Sequence, residues 1–502
     1  MAPRTTHELA VAERSNDAAL WQWLYAEIRG AILDGRLRRG TRVPATRALA
    51  QRYGVSRGTV VSAFEQLNAE GYLDGRVGDG TYVSVRLPED FTTPASSRGA
   101  RNETRRPRQL SKLAGRLQPV PTYEATAPRP FRPDPPIDAF PTDLWTQIAG
   151  RRLRRATRTL LADADPRGYR PLREALADYL GSARGVRCSA DQVIVVAGIQ
   201  HGLDLAIRVL LDPGAAVCLE DPCHPIVSAM FRALPARVVP VPVDDRGLDV
   251  EAGIRGCRRP RLIYVTPAHQ FPLGPMMTVG RRFALLEWAA KSDAWIFEDD
   301  YDSEYRYEGR PTPALQGIDR SGSVIFSGSF SKVLLPTLRL GYLVVPLELV
   351  DTFAAARFMT DRHSSVLDQA VMCEFLTGGH FARHIRRMRE VHASRLNALT
   401  EAIQKKLADH AELPKTASGI SAVVWLQQRL KARSVVAAAA ANGVDVVAVS
   451  DFILSTRRPE GLVLGFAPYD SRLIEDGITR LARAIDQCAN GVRHPASRRS
   501  VR

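Results

Sequence analysis

Residues 295–342 read WIFEDDYDSEYRYEGRPTPALQGIDRSGSVIFSGSFSKVLLPTLRLGY. Two short runs, WIFED (295–299) and SVIFSG (323–328), are rich in aromatic and β-branched residues and bounded by Gly, Pro and Asp, which marks buried strands. The first ends in an acidic pair. The second leads into Ser-Phe-Ser-Lys, so Lys332 stands 33 residues after Asp299, and Arg339 follows seven residues later. An acid, an amine and a guanidinium are thus tied to the ends of two strands. Outward from here the pattern repeats: VIVVA (193–197), AVCLE (216–220), RLIYVT (261–266) and YLVVP (342–346) read as strands. Helix-period segments such as VGRRFALLEWAAKSD (279–293) lie between several of them. This alternation predicts an α/β fold with a mostly parallel sheet covered by helices.

At 502 residues the chain is too long for one ordinary domain. Its 45% hydrophobic and 25% charged residues exclude a wholly disordered polymer. No apolar run approaches the roughly 20 residues that cross a bilayer, and the polar start MAPRTTHELAVAERSND has no apolar signal core. The 6 Cys form no CxxC pair, which argues for a reducing cytoplasm and against a disulfide framework or structural zinc. Lys+Arg 69 against Asp+Glu 54 leaves +15, carried almost wholly by Arg. A GC-rich genome explains that bias, and so does a polyanionic partner onto whose phosphates the guanidinium forks; charge alone does not choose.

Three zones follow along the chain. Residues 18–86 are a compact, mostly helical module. Residues 87–130 are rich in Pro, Ser, Thr and Arg and read as a linker. Its Arg98, Arg101, Arg105, Arg106 and Arg108 are expected chiefly as part of a solvated tether, secondarily as phosphate contacts. Residues 131–490 hold the α/β pattern and a smaller C-terminal part, and 491–502 form a basic tail.

In the first zone, Leu20, Leu24, Ile28 and Ile32 repeat every fourth residue and predict a helix over 20–33. ATRALAQRYG reads as a short helix ending at Gly54. Ser56 is a good N-cap for a third helix over 57–69, with Val60, Phe64 and Leu67 inward. Two short helices joined by Tyr53-Gly54-Val55 make a helix-turn-helix, and GYLDGRVGDGTYVSV adds a hairpin wing. This stretch resembles the winged helix-turn-helix of the GntR regulators. The matching residues include Gly40-Thr41-Arg42, Pro44-Ala45-Thr46-Arg47, Gly54-Val55-Ser56-Arg57-Gly58-Thr59-Val60, Glu70-Gly71-Tyr72 and Gly78-Asp79-Gly80-Thr81. Arg47, Ser56, Arg57 and Thr59 begin helices where N-termini and guanidinium forks meet phosphates and base edges. With Arg42, and with Gly80 letting the wing backbone approach the minor groove, they are the expected DNA contacts.

The stretch 295–342 resembles the fold-type-I pyridoxal 5′-phosphate (PLP) enzymes. With GntR-type helices ahead of it, the motif order resembles the MocR/GabR subfamily of regulators. The residue types suit the cofactor. Lys332 offers an amine for the cofactor aldehyde, and Asp299 offers an acid for the pyridine nitrogen. Tyr301 is placed for the ring hydroxyl. Ser329, Arg339 and the Ala197-Gly198-Ile199 turn are placed for the phosphate. ADPRGYRPLREALADYL (164–180), VVAGIQHGLDL (195–205) and TPAHQFPLGPMM (266–277) match further family signatures. His269 and Gln270 in the last either line the cofactor face or support the loop.

Some positions depart from the family. His224 stands where a Tyr usually stacks on the pyridine, and Ile199 where a hydroxyl often supports the phosphate. Asp163 replaces a Tyr that reaches the neighbouring subunit's phosphate. Val463 occupies the place of the Arg that clamps a substrate α-carboxylate, with Arg457 and Arg458 nearby as potential substitutes.

Three readings compete. One is a cytoplasmic, DNA-binding transcriptional regulator that senses an amine or amino acid through aldimine exchange at Lys332. Another is an active PLP-dependent aminotransferase carrying a DNA-binding module. The last is a scaffold that no longer holds PLP. The intact Lys332, Asp299 and Arg339 count against the last, while Val463 and the N-terminal helices count against the aminotransferase. The resemblance further implies a homodimer, domain-swapped, on double-stranded DNA with two half-sites. The 87–130 linker permits the crossing, since a flexible chain of that length spans roughly 35 Å. No metal is expected.

Overall fold

In this computed structural model the described residues are 20–76, 79–88, 108–117, 129–132, 134–234, 236–308, 312–416, 418–427 and 430–492. Gly78, Arg98, Arg101, Arg105, Arg106 and the tail beyond Val492 lie outside them. The chain divides into two compact units, Met1–Gln109 and Leu110–Arg502. The division falls within the stretch expected as linker.

In the first unit, α1 (Leu20–Leu33), α2 (Thr46–Tyr53) and α3 (Arg57–Ala69) pack around Leu24, Ile28, Leu49, Val60, Phe64 and Leu67, all buried. Leu20, at the helix start, is 37% exposed and leaves that stripe. Gly54 ends α2 in the left-handed region (φ 61°), which costs a glycine little. Ser56 caps α3: its Oγ accepts the Thr59 N–H at 3.1 Å. Strands β1 (Leu73–Arg76) and β2 (Gly80–Val83) pair antiparallel as the wing.

The second unit is built on an eight-stranded sheet. Its strands are β3 (Val193–Val196), β4 (Ala216–Asp221), β5 (Arg237–Asp244), β6 (Gly247–Leu248), β7 (Leu262–Val265), β8 (Trp295–Asp300), β9 (Val324–Ser329) and β10 (Gly341–Val344). The spatial order is β3-β10-β9-β8-β7-β4-β5-β6. Strands β9, β8, β7, β4 and β5 run parallel, whereas β10 is antiparallel to both neighbours and β6 to β5. The six strands expected from sequence all form. The additional β5, RVVPVPVD, hides behind Pro240 and Pro242, which spoil a strand pattern. They are tolerated next to the sheet edge, where fewer ladder donors are needed.

A second, antiparallel sheet orders β11 (Ala411–Glu412), β12 (Ser421–Leu426), β14 (Gly461–Gly465) and β13 (Val447–Ala448). Helices His380–Lys406 and Ser471–Val492 pack on it through Leu399, Ile403, Ile474, Ile478 and Leu481. The final helix reaches two residues into the stretch expected as a tail. Phe131, fully buried, bridges to Gly465, so the core of this subdomain takes hold of the chain at its first expected residue.

Candidate cofactor site and nucleic-acid interface

A cavity of about 280 Å³ opens at the C-terminal ends of β4, β7, β8 and β9. In open α/β sheets ligands bind there, because strand ends and following turns converge without occupying the space. All eight residues expected around the cofactor border it: Lys332, Asp299, Tyr301, Ser329, Arg339, Gly198, Ile199 and His224.

Asp299, the last residue but one of β8, is buried. Its Oδ2 accepts the Tyr264 hydroxyl from β7, while its Oδ1, equally buried, has no hydrogen-bond partner. Burial pushes the carboxyl up to about 7. A buried acceptor with no donor is costly. A protonated pyridine nitrogen is the donor it lacks, so the site fits PLP at its most demanding atom. Tyr264 was not singled out in sequence, although a lone tyrosine in the aliphatic run LIYV is the signal.

The opposite end suits a phosphate. Gly198 caps the helix Ile199–Leu210 with φ 98°. A Cβ there would sit 3.6 Å from the Arg339 guanidinium, within the cradle. Ser329 Oγ accepts the Ser331 N–H at 3.1 Å, leaving its own proton to donate. Ser331 Oγ borders the same cavity and has no partner. A helix N-terminus, hydroxyls and a guanidinium together attract a dianion. One expected donor drops out: the Ala197 N–H is taken by His201 Nδ1 at 3.3 Å.

Lys332 projects from the turn after β9. Desolvation pulls its ammonium below the ordinary lysine value, against the opposing pull of Asp134 and Asp302. More of the amine is therefore uncharged and nucleophilic than on an open surface. His224 keeps its ring on the cavity wall; its Nδ1 accepts the Ile226 N–H at 3.2 Å. The surrounding protein and Lys332 push the imidazole down to about 4, so it is neutral and can stack. Phe271 lies against it, with ring centroids 5.3 Å apart.

The Tyr301 hydroxyl is 3.0 Å from His269 Nδ1, and the same nitrogen is 2.9 Å from the Asp302 carboxylate. His269 thus stands behind Tyr301 and orients it. Gln270 Nε2 donates to the Pro222 and Phe271 carbonyls at 2.8 and 2.7 Å. Both residues support the wall and neither borders the cavity. Glu220, at the end of β4, does border it and was missed. It accepts from Thr266 N–H at 3.2 Å and Thr266 Oγ at 2.5 Å, and burial pushes it up to about 7.

Val463 lies mid-strand in β14, opposite Val423, wholly buried beside Val449 and Phe452. Arg458 donates to the carbonyls of Val243 and Asp221, and Arg457 is exposed; neither borders the cavity. Asp163, at the departed tyrosine position, pairs with Arg362 at 2.9 Å.

On the first unit, Arg42, Arg47, Ser56 and Arg57 are exposed and Thr59 half-buried. Ser56 and Thr59 hydroxyls lie 2.8 Å apart, so both are also engaged in capping. Gly80 (φ 115°) has a local role beyond the expected groove approach: a Cβ there would come within 2.7 Å of Arg42 Nε. The glycine makes room for that guanidinium beneath the wing.

A winged helix joined to a PLP-type cavity on a transaminase-like sheet defines a class of fused regulators. Residues 21–83 match the model of bacterial regulatory proteins of the gntR family, and residues 140–458 match aminotransferase class I and II. The chain is 37% identical over 479 residues to the "Probable rhizopine catabolism regulatory protein MocR" of Rhizobium meliloti, covering 95% of this chain and 96% of that one. It is 31% identical to an HTH-type transcriptional regulator of Bacillus subtilis, covering 94% and 98%. Among solved structures, the multiple substrate aminotransferase of Thermococcus profundus superposes with a TM-score of 0.69 at 27% identity, over 76% of this chain and 98% of the other. The chain belongs to the MocR-type GntR regulators, with a PLP-binding aminotransferase-like domain. Among the described residues no helix is long and apolar enough to cross a membrane.

Proposed function

We propose that this regulator binds an amine effector at the Lys332 cavity and that occupancy alters its hold on DNA. The observation that carries this reading is the orphaned Oδ1 of Asp299, a residue that borders the Lys332 cavity, in a chain whose carboxylate-clamp position is a buried valine. When bound, PLP supplies an aldehyde that condenses reversibly with amines. In this reading Asp299 holds the ring nitrogen, Tyr301 the ring hydroxyl, and Ser329, Arg339 and the Gly198–Ile199 turn the phosphate, with His224 stacked on the ring. Lys332 is the amine an effector displaces. Lys332 also abstracts protons poorly from a substrate whose α-carboxylate is not fixed, because the Cα–H bond is not aligned with the ring.

Arg42, Arg47, Ser56, Arg57, Thr59 and Gly80 form the DNA surface, doubled in a homodimer that takes two half-sites. A ligand moves that equilibrium only by binding one conformation better than the other. The test is DNA affinity measured with and without amines on the PLP-loaded protein, in parallel with pyridoxamine phosphate formation. Amine-dependent DNA binding with negligible turnover is expected. Multiple turnovers per minute with an α-amino acid and a keto acid would instead make the protein an enzyme.

A further inference from the structure

Much of the cavity wall is apolar, although Gln200, Thr266, Tyr264, Tyr301 and Ser421 also border it. Ile199, Ile226, Val227, Met230, Phe271 and Ile420 border it. The arginine bordering it among the described residues is Arg339, beside Gly198 at the phosphate end. Apart from Lys332, which is committed to the cofactor, the other ionisable groups there offer an anion little. Asp299 and Glu220 are acids, and Glu220 is held by Thr266. His224 already uses Nδ1 on the Ile226 N–H. The clamp position is sealed: Val463 is enclosed by Val423, Val449 and Phe452. Arg458 gives one amino nitrogen to the carbonyls of Val243 and Asp221, leaves its Nε unpartnered, and does not border the cavity.

We infer that the effector is a primary amine without a carboxylate, carrying an apolar substituent that packs on Ile199, Ile226, Met230 and Phe271. This deepens the amine-sensing reading and rests on it. A carboxylate placed next to the reacting amine would lie against isoleucine side chains with no guanidinium outside the phosphate cradle to fork onto it, and a poorly paired charge in such surroundings is expensive. The same apolar surface rewards a hydrocarbon chain. Met230 and Phe271 are only half-buried, so apolar surface remains for a ligand to cover.

The experiment is a titration of the PLP-loaded full-length protein with matched pairs: isoamylamine against leucine, and phenethylamine against phenylalanine. The readouts are the visible absorbance of the bound cofactor and calorimetric heat, without DNA. Each amine should bind at least about tenfold more tightly than its amino acid, the equivalent of one missing charge-assisted bond. Leucine amide, of the same bulk as leucine but without its carboxylate charge, should bind close to isoamylamine. Ile226→Arg, at a position 44% exposed and therefore safe for the fold, should reverse the preference toward leucine. Leucine binding as tightly as isoamylamine, as it would if a partner subunit delivered a guanidinium, overturns the inference. So does leucine amide binding as poorly as leucine, or absence of any response to the four ligands. A result of this kind leaves the regulator reading standing or falling separately, because that depends on the DNA-binding measurement.

Discussion

At the scale of single residues, the site is governed by desolvation. Lys332→Ala should abolish the borohydride-reducible phosphopyridoxyl adduct while circular dichroism stays unchanged; mass spectrometry of a reduced peptide containing another lysine would count against the assignment. Asp299 supports a pH prediction. Its folded value, about 7, lies above its ordinary 3.8, as does that of Glu220, also about 7. Between about pH 4 and 7 the folded, cofactor-free protein therefore holds more protons than the unfolded chain, so stability falls as pH rises across that range and the loss levels off above 7. Asp299→Asn should lose less thermal stability than the parent as pH rises from about 5 to 7. PLP loading should also flatten the parent's slope, because the ring N–H favours the ionised carboxylate. A variant with the parent's slope would show that Oδ1 is already satisfied.

At the scale of elements, the winged helix offers two separable effects. Gly80→Ala forces a side chain into a left-handed backbone and against Arg42. A loss of about 1–2 kcal/mol in wing stability, with Arg42 displaced, should weaken DNA binding while the large unit's melting is untouched. Arg47→Ala and Arg57→Ala bear on readout. Either should cost about 1–3 kcal/mol if it reads a base, or lower the salt slope by about one if it meets a phosphate. Fluorescence anisotropy at several salt concentrations distinguishes the two, and unchanged affinity and slope in both variants would remove them from the interface. Ser56 is better read through stability. Because its Oγ caps α3, Ser56→Ala should cost about 1 kcal/mol in unfolding of the first unit whatever its part on DNA.

At the scale of the whole molecule, the proposed homodimer would present two recognition helices, and full-length protein should then bind an operator with both half-sites far more tightly than one with a single half-site. Equal affinity for both operators would mean one winged helix acts at a time. Sedimentation of the PLP-loaded chain checks the dimer independently.

Much of this molecule was legible along the chain because its signals are local. Strand runs, the Gly54 turn and the Ser56 cap depend on near neighbours and on residue type, the roles of Asp299, Lys332 and Arg339 were read from the family resemblance, and the cavity gathers all the expected cofactor residues. What needed the tertiary structure was everything set by who faces whom. Pro240 and Pro242 concealed β5 because only its place near the sheet edge makes them tolerable. Tyr264 and Glu220 became site residues because β4 and β7 lie beside each other and β7 beside β8, a pairing invisible in one dimension. His269 was placed behind Tyr301, not on the cofactor, by a contact with Asp302 from another segment. The resemblance to aminotransferases marks Val463 as the place of a missing arginine, but only packing shows that the position is sealed and that an amino nitrogen of Arg458 is turned to backbone carbonyls. Residue types determine which chemistry is available; burial and long-range hydrogen bonding decide which groups remain available to a ligand.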